Sequence, residues 1–360
     1  MTEWRHDAQG SCGISRKRLD SLLDGFVGRR VLVVGDLMLD EYIWGQTSRV
    51  SPEAPVLVLD VQRTTHTPGG AANVARNVRE MGGEVMVAGV VGTDSNADLL
   101  LSALQTEGCV TEGVVVAEER CTTVKSRVVA HNQQVVRIDR EWRKPIGRVA
   151  LKKLSAFADA IIPTVDAVIL SDYAKGVLAD ELVAAIIKKA KKCHVPLAAN
   201  LKPPRTTAFR GATLLTLNLT EAERAWEQPI VNEGALYRCG RVLHKRLACK
   251  GLLITRGGDG VALFIPAGAP LAIPARRVSV FDVSGAGDTV ISAATLALSA
   301  GATLGEAAAI GNLAGNIKVT KLGTAPVTCH EIRQFAREKP SEAPYHENHN
   351  DVGARSRAAA

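Results

Sequence analysis

The sequence predicts an α/β fold with a mostly parallel sheet covered by helices on both faces. Three observations carry the prediction. First, short apolar runs recur at 31–34, 167–170, 196–199, 213–217 and 252–255; continuous rather than alternating runs mark strands buried on both sides. Second, segments of helical length separate most of these runs, the pattern of repeated βα units. Third, alanine, valine and glycine dominate a chain that is 46% hydrophobic but only 4% aromatic. Small side chains suit close packing of helix on sheet. A length of 360 residues accommodates one large α/β domain or two smaller ones.

Taken in order, residues 1–13 are polar and read as a disordered N-terminus. Helical spacing covers 14–26, and the strand 31–34 ends in Gly35-Asp36, with Asp40 four residues later. Residues 42–61 read as irregular strand material with two partly apolar faces, broken by Pro52 and Pro55, and suggest a flap or a dimer surface. Thr67-Pro68-Gly69-Gly70-Ala71-Ala72-Asn73 opens a helix closed by Gly82-Gly83. A strand (84–91), a helix (95–107), a strand (114–116) and a hairpin (122–130 and 134–139) follow. Regular alternation then sets in: helices at 148–162, 179–192, 232–248, 287–298 and 304–319, and a further strand at 261–265. Residues 277–282 are short and β-branched and read as a strand handing over to a helix at 283–289. Domain boundaries follow: one domain over 14–335, with a flap near 41–63 and 113–140, and a polar, charged tail over 336–360.

Charge excludes some functions. The balance is 44 basic to 37 acidic residues, a net +7, and no dense Lys/Arg run is interleaved with aromatics, so no nucleic-acid partner is expected. No apolar run is long enough to span a bilayer. The seven cysteines have no Cys-x-x-Cys or zinc spacing and fit a reducing cytoplasm.

Val283-Ser284-Gly285-Ala286-Gly287-Asp288-Thr289 draws the most attention. Glycines before a helix turn backbone N–H groups toward an anion. Asp288 there is either a helix cap or a base that takes a proton from a hydroxyl attacking a phosphoryl group. The stretch lacks the third glycine of a dinucleotide fingerprint, and no Walker A lysine motif is present. Other motifs have the same double reading. Asn218-Leu219-Thr220-Glu221 is a helix cap or holds a hydrated magnesium ion. Thr255-Arg256-Gly257-Gly258-Asp259-Gly260 is a hairpin or a loop beside a nucleotide. Ser171-Asp172-Tyr173-Ala174-Lys175-Gly176 and Asn200 with Lys202 follow strands, where ligands collect. Asn312 and Asn316 lie in a small-residue helix that packs closely or faces an adenine.

In this order the motifs Gly35-Asp36 with Asp40, Gly69 to Asn73, Asn218 to Glu221, Thr255-Arg256-Gly257 and Asp282 to Asp288 resemble the ribokinase superfamily, the pfkB carbohydrate kinases, over residues 31–327. Thr47 to Pro55, Lys125-Ser126-Arg127, Asn132-Gln133-Gln134 with Arg137, and Ser171 to Gly176 look like its D-glycero-β-D-manno-heptose 7-phosphate kinases, which serve ADP-heptose and lipopolysaccharide core synthesis. The resemblance implies a ribokinase-like three-layer sandwich with a small β lid, and transfer of phosphate from ATP to the C1 hydroxyl. It implies Asp288 as base and the amides of Gly285, Ala286 and Gly287 as the anion hole. Asp36, Asp40, Gly69, Gly70, Asn73 and Asp172 would bind the sugar, and Lys125, Arg127 and Lys175 its 7-phosphate. Asn200, Lys202, Asn218, Thr255, Gly257, Asn312 and Asn316 would line the nucleotide. Asn218 and Glu221 would hold Mg²⁺ through water, and Asp282 leaves a monovalent cation open. A homodimer is implied, and a separate adenylyltransferase, since no His-x-Gly-His motif follows Val327. Asn200-Leu201-Lys202 departs from the Asp-Pro-Lys of many relatives. A kinase for another sugar and a nucleotide-binding protein without chemistry remain the alternatives.

Overall fold

The computed structural model describes residues 5–6, 14–131, 133–266 and 268–338. In chain order the elements are β1 (Arg5–His6), α1 (Arg16–Asp24), β2 (Arg30–Gly35), β3 (Leu37–Val50), β4 (Leu57–Gly70), α2 (Ala71–Glu80), β5 (Glu84–Val91), α3 (Ser95–Thr106), β6 (Val110–Val116), β7 (Thr123–Ala130), β8 (Gln133–Arg140) and α4 (Arg148–Ile161). Then come β9 (Ala167–Ser171), α5 (Asp180–Lys192), β10 (Leu197–Asn200), β11 (Leu214–Asn218), α6 (Leu219–Trp226), α7 (Glu233–Leu247), β12 (Gly251–Thr255), β13 (Val261–Phe264), β14 (Leu271–Ile273), α8 (Ala286–Ser299), α9 (Leu304–Lys318) and α10 (Cys329–Arg337).

Ten strands form the main sheet in the order β1-β14-β13-β12-β11-β10-β9-β2-β5-β6. Every pair from β6 to β12 is parallel, and β13 is antiparallel to β12 and β14. Side chains alternate between two cores. Val31, Val33 and Ile169 pack with α1, α2, α8 and α9; Leu32, Val34 and Leu170 pack with α4, α5 and α7. The result is the expected three-layer sandwich. Helices α8 and α9 sit unusually close: a Cβ on Gly311 would lie 2.9 Å from the Val290 carbonyl oxygen.

A second, four-stranded sheet has the order β4-β3-β7-β8. Strands β3 and β4 are antiparallel, β3 and β7 parallel, β7 and β8 antiparallel. Because β3 continues β2 after the single residue Asp36, this lid grows directly out of the carboxyl end of an interior strand of the main sheet.

The sequence reading needs several corrections here. Residues 277–282 form no strand; the Phe281 N–H bonds the Val319 carbonyl instead, 2.8 Å away. Residues 42–61 are strand material as read, but more continuous than expected: they lie largely in two 14-residue strands joined through 51–56, with the irregularity confined to register shifts after Trp44 and Thr47. Residues 113–116 belong to β6 in the main sheet rather than to the lid. Strand β14 and helix α10 were not foreseen. Most of the expected disordered ends lie outside the described residues, as does Asn132 of the hairpin turn. Within 1–13, Arg5–His6 pair in parallel with Leu271 and Ala272, and Ala336 and Arg337 belong to α10 rather than to a tail.

Candidate active site

Strand register sets the site. Gly35 is opposite Ser171, Ser171 opposite Asn200, and Asn218 opposite Thr255. The carboxyl ends of β2, β9, β10, β11 and β12 therefore form one continuous edge. From β2 the chain leaves toward β5 in one direction and later returns at β9 in the other. The edge between β2 and β9 is thus the point where strand order reverses, the expected crevice of an open α/β sheet.

Asp36 and the loop after β9 meet in this crevice. The Asp36 side chain is 1% exposed. It accepts the N–H groups of Tyr173 at 2.8 Å, Lys175 at 3.0 Å and Val177 at 3.1 Å. It fixes the loop instead of offering oxygens to a sugar. Asp172 turns inward, accepting the Ala174 N–H at 2.8 Å, and burial pushes its carboxyl up to about 6. Asn200 accepts the Asp172 N–H at 2.8 Å, which ties β10 to the same loop. Arg120, buried beneath, donates to the Lys175 carbonyl at 2.9 Å.

Helix α8 brings the opposite wall. Gly285 caps it with φ +76°, a conformation glycine adopts without strain. The Ala286 N–H is taken by the Val283 carbonyl at 3.2 Å, so it is not a free member of an anion hole. The N–H groups of Gly287 and Asp288 lie in the first helical turn, where no intrahelical acceptor exists. A Cβ on Gly287 would meet nothing within 4 Å, so space for an anion lies above it.

Asp288 faces the crevice from that turn. It is 5% exposed. Asn73 Nδ2 donates to its Oδ2 at 2.7 Å, and the Tyr173 hydroxyl donates to its Oδ1. Burial pushes its carboxyl up to about 6; Asp40 adds to this, while the two donors and Lys202 oppose it. A polar seam between α2 and α8 holds the geometry: Thr289 Oγ1 donates to Asn77 Oδ1 at 2.9 Å, and Ser292 Oγ to the Val74 carbonyl at 3.1 Å.

The lid contributes cations. Arg127 pairs with Asp40 at 2.6 Å, and its guanidinium lies 5.2 Å from the Tyr42 ring centre. The Lys125 ammonium sits 5.8 Å from the Tyr173 ring centre. Its pKa is lowered by burial and then by Lys175. Lys175 itself pairs with Glu141. Gly69 and Gly70 back this wall: a Cβ on Gly69 would come within 2.5 Å of Asp40 Oδ2.

Along the rest of the edge the expected nucleotide residues are partly committed. Asn218 and Glu221 form a reciprocal capping box for α6, each accepting the other's backbone N–H at 2.8 Å. Glu221 also pairs with Lys202, whose ammonium lies 5.5 Å from the Tyr173 ring centre. Both carboxylate oxygens of Glu221 therefore have protein partners, so any contact of this pair with a metal would run through water. Among the described residues no group of three His, Cys, Asp or Glu is placed to hold one. Asp282, a position left open for a monovalent cation, accepts the N–H groups of Ser284 and Gly323 at 2.8 and 3.0 Å. Thr255 ends β12, and the open Gly257 follows it. Asn312 donates to the Pro274 carbonyl at 2.9 Å, whereas the buried Asn316 Nδ2 has no protein acceptor.

The profile described as pfkB family carbohydrate kinase matches residues 29–330. The chain belongs to this family. It is an ATP-dependent sugar kinase, and kinases of this kind use ATP with a divalent metal. Two curated relatives called bifunctional protein HldE are 44% identical: one from Desulfatibacillum aliphaticivorans over 315 residues, covering 88% of this chain and 64% of the relative, and one from Geobacter metallireducens over 319 residues, covering 89% and 65%. This chain thus spans about two thirds of the length of the relatives it matches. Among solved structures, Arabidopsis thaliana ribokinase complexed with ribose and ATP superposes with a TM-score of 0.69 at 20% identity, over 87% of this chain and all of that one. Escherichia coli phosphofructokinase-2 with substrates and products gives 0.72 at 18%, over 86% and 98%. These two establish the ribokinase-like fold. The described residues include no helix long and apolar enough to cross a membrane.

Sequence reasoning brought Asp288, Asn73, Asp36, Asp40, Lys125 and Arg127 to one crevice. It missed Tyr173. The signal was present in the Ser171 to Gly176 motif, where a phenol sits between an acid and a lysine just after a buried strand.

Proposed function

We propose that the chain transfers the γ-phosphoryl group of ATP to the C1 hydroxyl of D-glycero-β-D-manno-heptose 7-phosphate, giving the 1,7-bisphosphate for ADP-heptose synthesis. One observation carries the reaction type: a buried carboxyl, raised to about 6, in the first turn of a helix beside open space over Gly287. An ionised Asp288 takes the proton of the sugar hydroxyl as its oxygen bonds to phosphorus and the bond to ADP breaks. The N–H groups of Gly287 and Asp288 face the charge that develops on the phosphoryl oxygens. Asn73 aims the carboxylate. Asp40, Gly69 and Gly70 form the sugar wall, with Asp36 and Asp172 shaping the loop opposite.

The choice of sugar rests on the cations and on the relatives. Lys125 is a half-buried ammonium near an aromatic ring; with Arg127 and Lys175 it forms a cationic end suited to the 7-phosphate. Thr255, Gly257, Asn316 and Lys202 border the nucleotide end. Magnesium enters with the ATP phosphates, and Asn218 and Glu221 lie at that end as the cap of α6. The bisphosphate then passes to a later adenylyl-transfer step. A homodimer through the lid belongs to the same reading, because Val56, Leu57 and Ile138 there are more than half exposed; sedimentation as monomer alone would remove it. ATP consumption with heptose 7-phosphate, fructose 6-phosphate and ribose tests the substrate. Preference for the heptose phosphate by at least about tenfold in kcat/KM, equivalent to about 1.4 kcal/mol, is expected: ribose lacks a phosphate for the cationic end, and fructose 6-phosphate carries one on a shorter sugar. Equal rates with all three would sink the assignment.

A further inference from the structure

Tyr173 has no place in the reaction just described, yet it holds one oxygen of the base. Its backbone N–H is fixed by Asp36. The next residue, Ala174, has φ +56°, an unfavourable backbone for a side chain with Cβ, so the loop is built to present Tyr173 in this direction. Two ammonium groups lie near the ring centre, Lys125 from the lid at 5.8 Å and Lys202 from the edge at 5.5 Å. At its tip the hydroxyl donates to Asp288 Oδ1, while Asn73 fills Oδ2. A phenol O–H donating to the carboxylate has the chemistry of an acceptor hydroxyl donating to it.

We infer that the Tyr173 hydroxyl occupies the base in the resting enzyme as a stand-in for the sugar hydroxyl, and that the sugar displaces it. The inference rests on Asp288 being the base. Two consequences follow. The sugar competes with an internal group, so part of its binding energy goes into moving the phenol. Water is also kept from Asp288 while ATP is bound alone. Without that block, Asp288 would take a proton from water, the water oxygen would bond to the γ-phosphorus, and the bond to ADP would break, releasing ADP and phosphate. Tyr173 is therefore a positioning residue that guards against hydrolysis.

Tyr173→Phe keeps the ring beside its two ammonium groups and removes only the hydroxyl. Expected results are a several-fold rise in ATP hydrolysis without sugar and a lower KM for the sugar with kcat little changed. The acid limb of kcat/KM should also move to higher pH, because the free enzyme loses a donor to Asp288, while the limb of kcat stays. The charged groups facing Asp288 are otherwise the same: Asp40 from the lid, Lys202 after β10 and Lys318 at the end of α9. Unchanged hydrolysis together with unchanged KM overturns the inference, as does a parallel loss of kcat and kcat/KM. A second measurement needs no variant: saturating sugar phosphate should change the tyrosine absorption of the unmodified protein, and absence of a change overturns the displacement. Asp288→Asn separates this from the underlying reading. Full turnover in that variant removes the base itself; an inactive Asp288→Asn beside an unaltered Tyr173→Phe removes only the stand-in.

Discussion

At the end of β2, Asp36 accepts three backbone N–H groups; at the start of α8, Asp288 accepts two side-chain donors. Both carboxyls are buried, both face the same crevice, and both come from glycine-acid pairs in the sequence. The difference lies in what can move. Amides of a folded loop cannot leave Asp36 without unfolding the loop, so it is scaffold. A phenol and an amide side chain can rotate away from Asp288, so its oxygens are available for exchange. Burial also raises Asp288 to about 6 against its two donors, close enough to neutral pH to accept a proton in a reaction.

The contrast should be sharpest in activity. Asp288→Asn is expected to lower kcat by about 10² to 10⁴, the usual contribution of a positioned base, with ATP binding retained in a direct binding assay. In the unmodified enzyme kcat/KM should fall as pH drops through about 6, since the base must be ionised; an acid limb well below that value would argue against Asp288. Stability should change in the opposite sense. A carboxyl raised from 3.8 to about 6 disfavours folding at neutral pH by about 3 kcal/mol. That burden is absent below the unfolded value and is complete above about 6. Asp288→Asn should therefore stabilise the fold by up to that amount, read from denaturant unfolding at neutral pH.

Asp36→Ala should do the reverse. It leaves the N–H groups of Tyr173, Lys175 and Val177 without their acceptor, each worth about 1–3 kcal/mol when buried. A net loss on the order of 3 kcal/mol is expected once the loop relaxes. A change under about 0.5 kcal/mol, the range of an ordinary surface site, would mean that Asp36 is not the anchor and would return it to the sugar.

Much of this arrangement was legible in the sequence. Continuous apolar runs gave the parallel strands because a strand buried on both faces has no polar side to interrupt it. Glycine-acid pairs after those runs located the crevice, since backbone approaches a ligand most closely there. The division of labour between two such acids was not legible. Asp36 and Asp288 look alike locally, and only the fold shows that 137 residues after Asp36 a loop returns its N–H groups to it. Strand β14 was missed because three residues carry too little pattern, and residues 277–282 misled because β-branched side chains favour extended backbone whether or not a partner strand is near. The motif Asn218 to Glu221 had two readings, and its spacing of three fits a capping box as well as a ligand pair.

That last ambiguity gives the smallest effect and still divides the two ends of the crevice. If Glu221 is a cap, Glu221→Ala removes one of two reciprocal bonds at the start of α6 and the partner of Lys202. Loss of a cap is worth about 1 kcal/mol, and a partly exposed ion pair adds little. The magnesium concentration needed for half-maximal activity should then stay within about twofold of the original. If instead the carboxylate holds the ion through water, stability should move equally little while the magnesium requirement rises by tenfold or more, since a negative group near the cation would be gone. The same variant thus weighs the nucleotide end against the sugar end: Glu221 would join Asp36 as scaffold in the first outcome, and Asp288 as a group with exchangeable partners in the second.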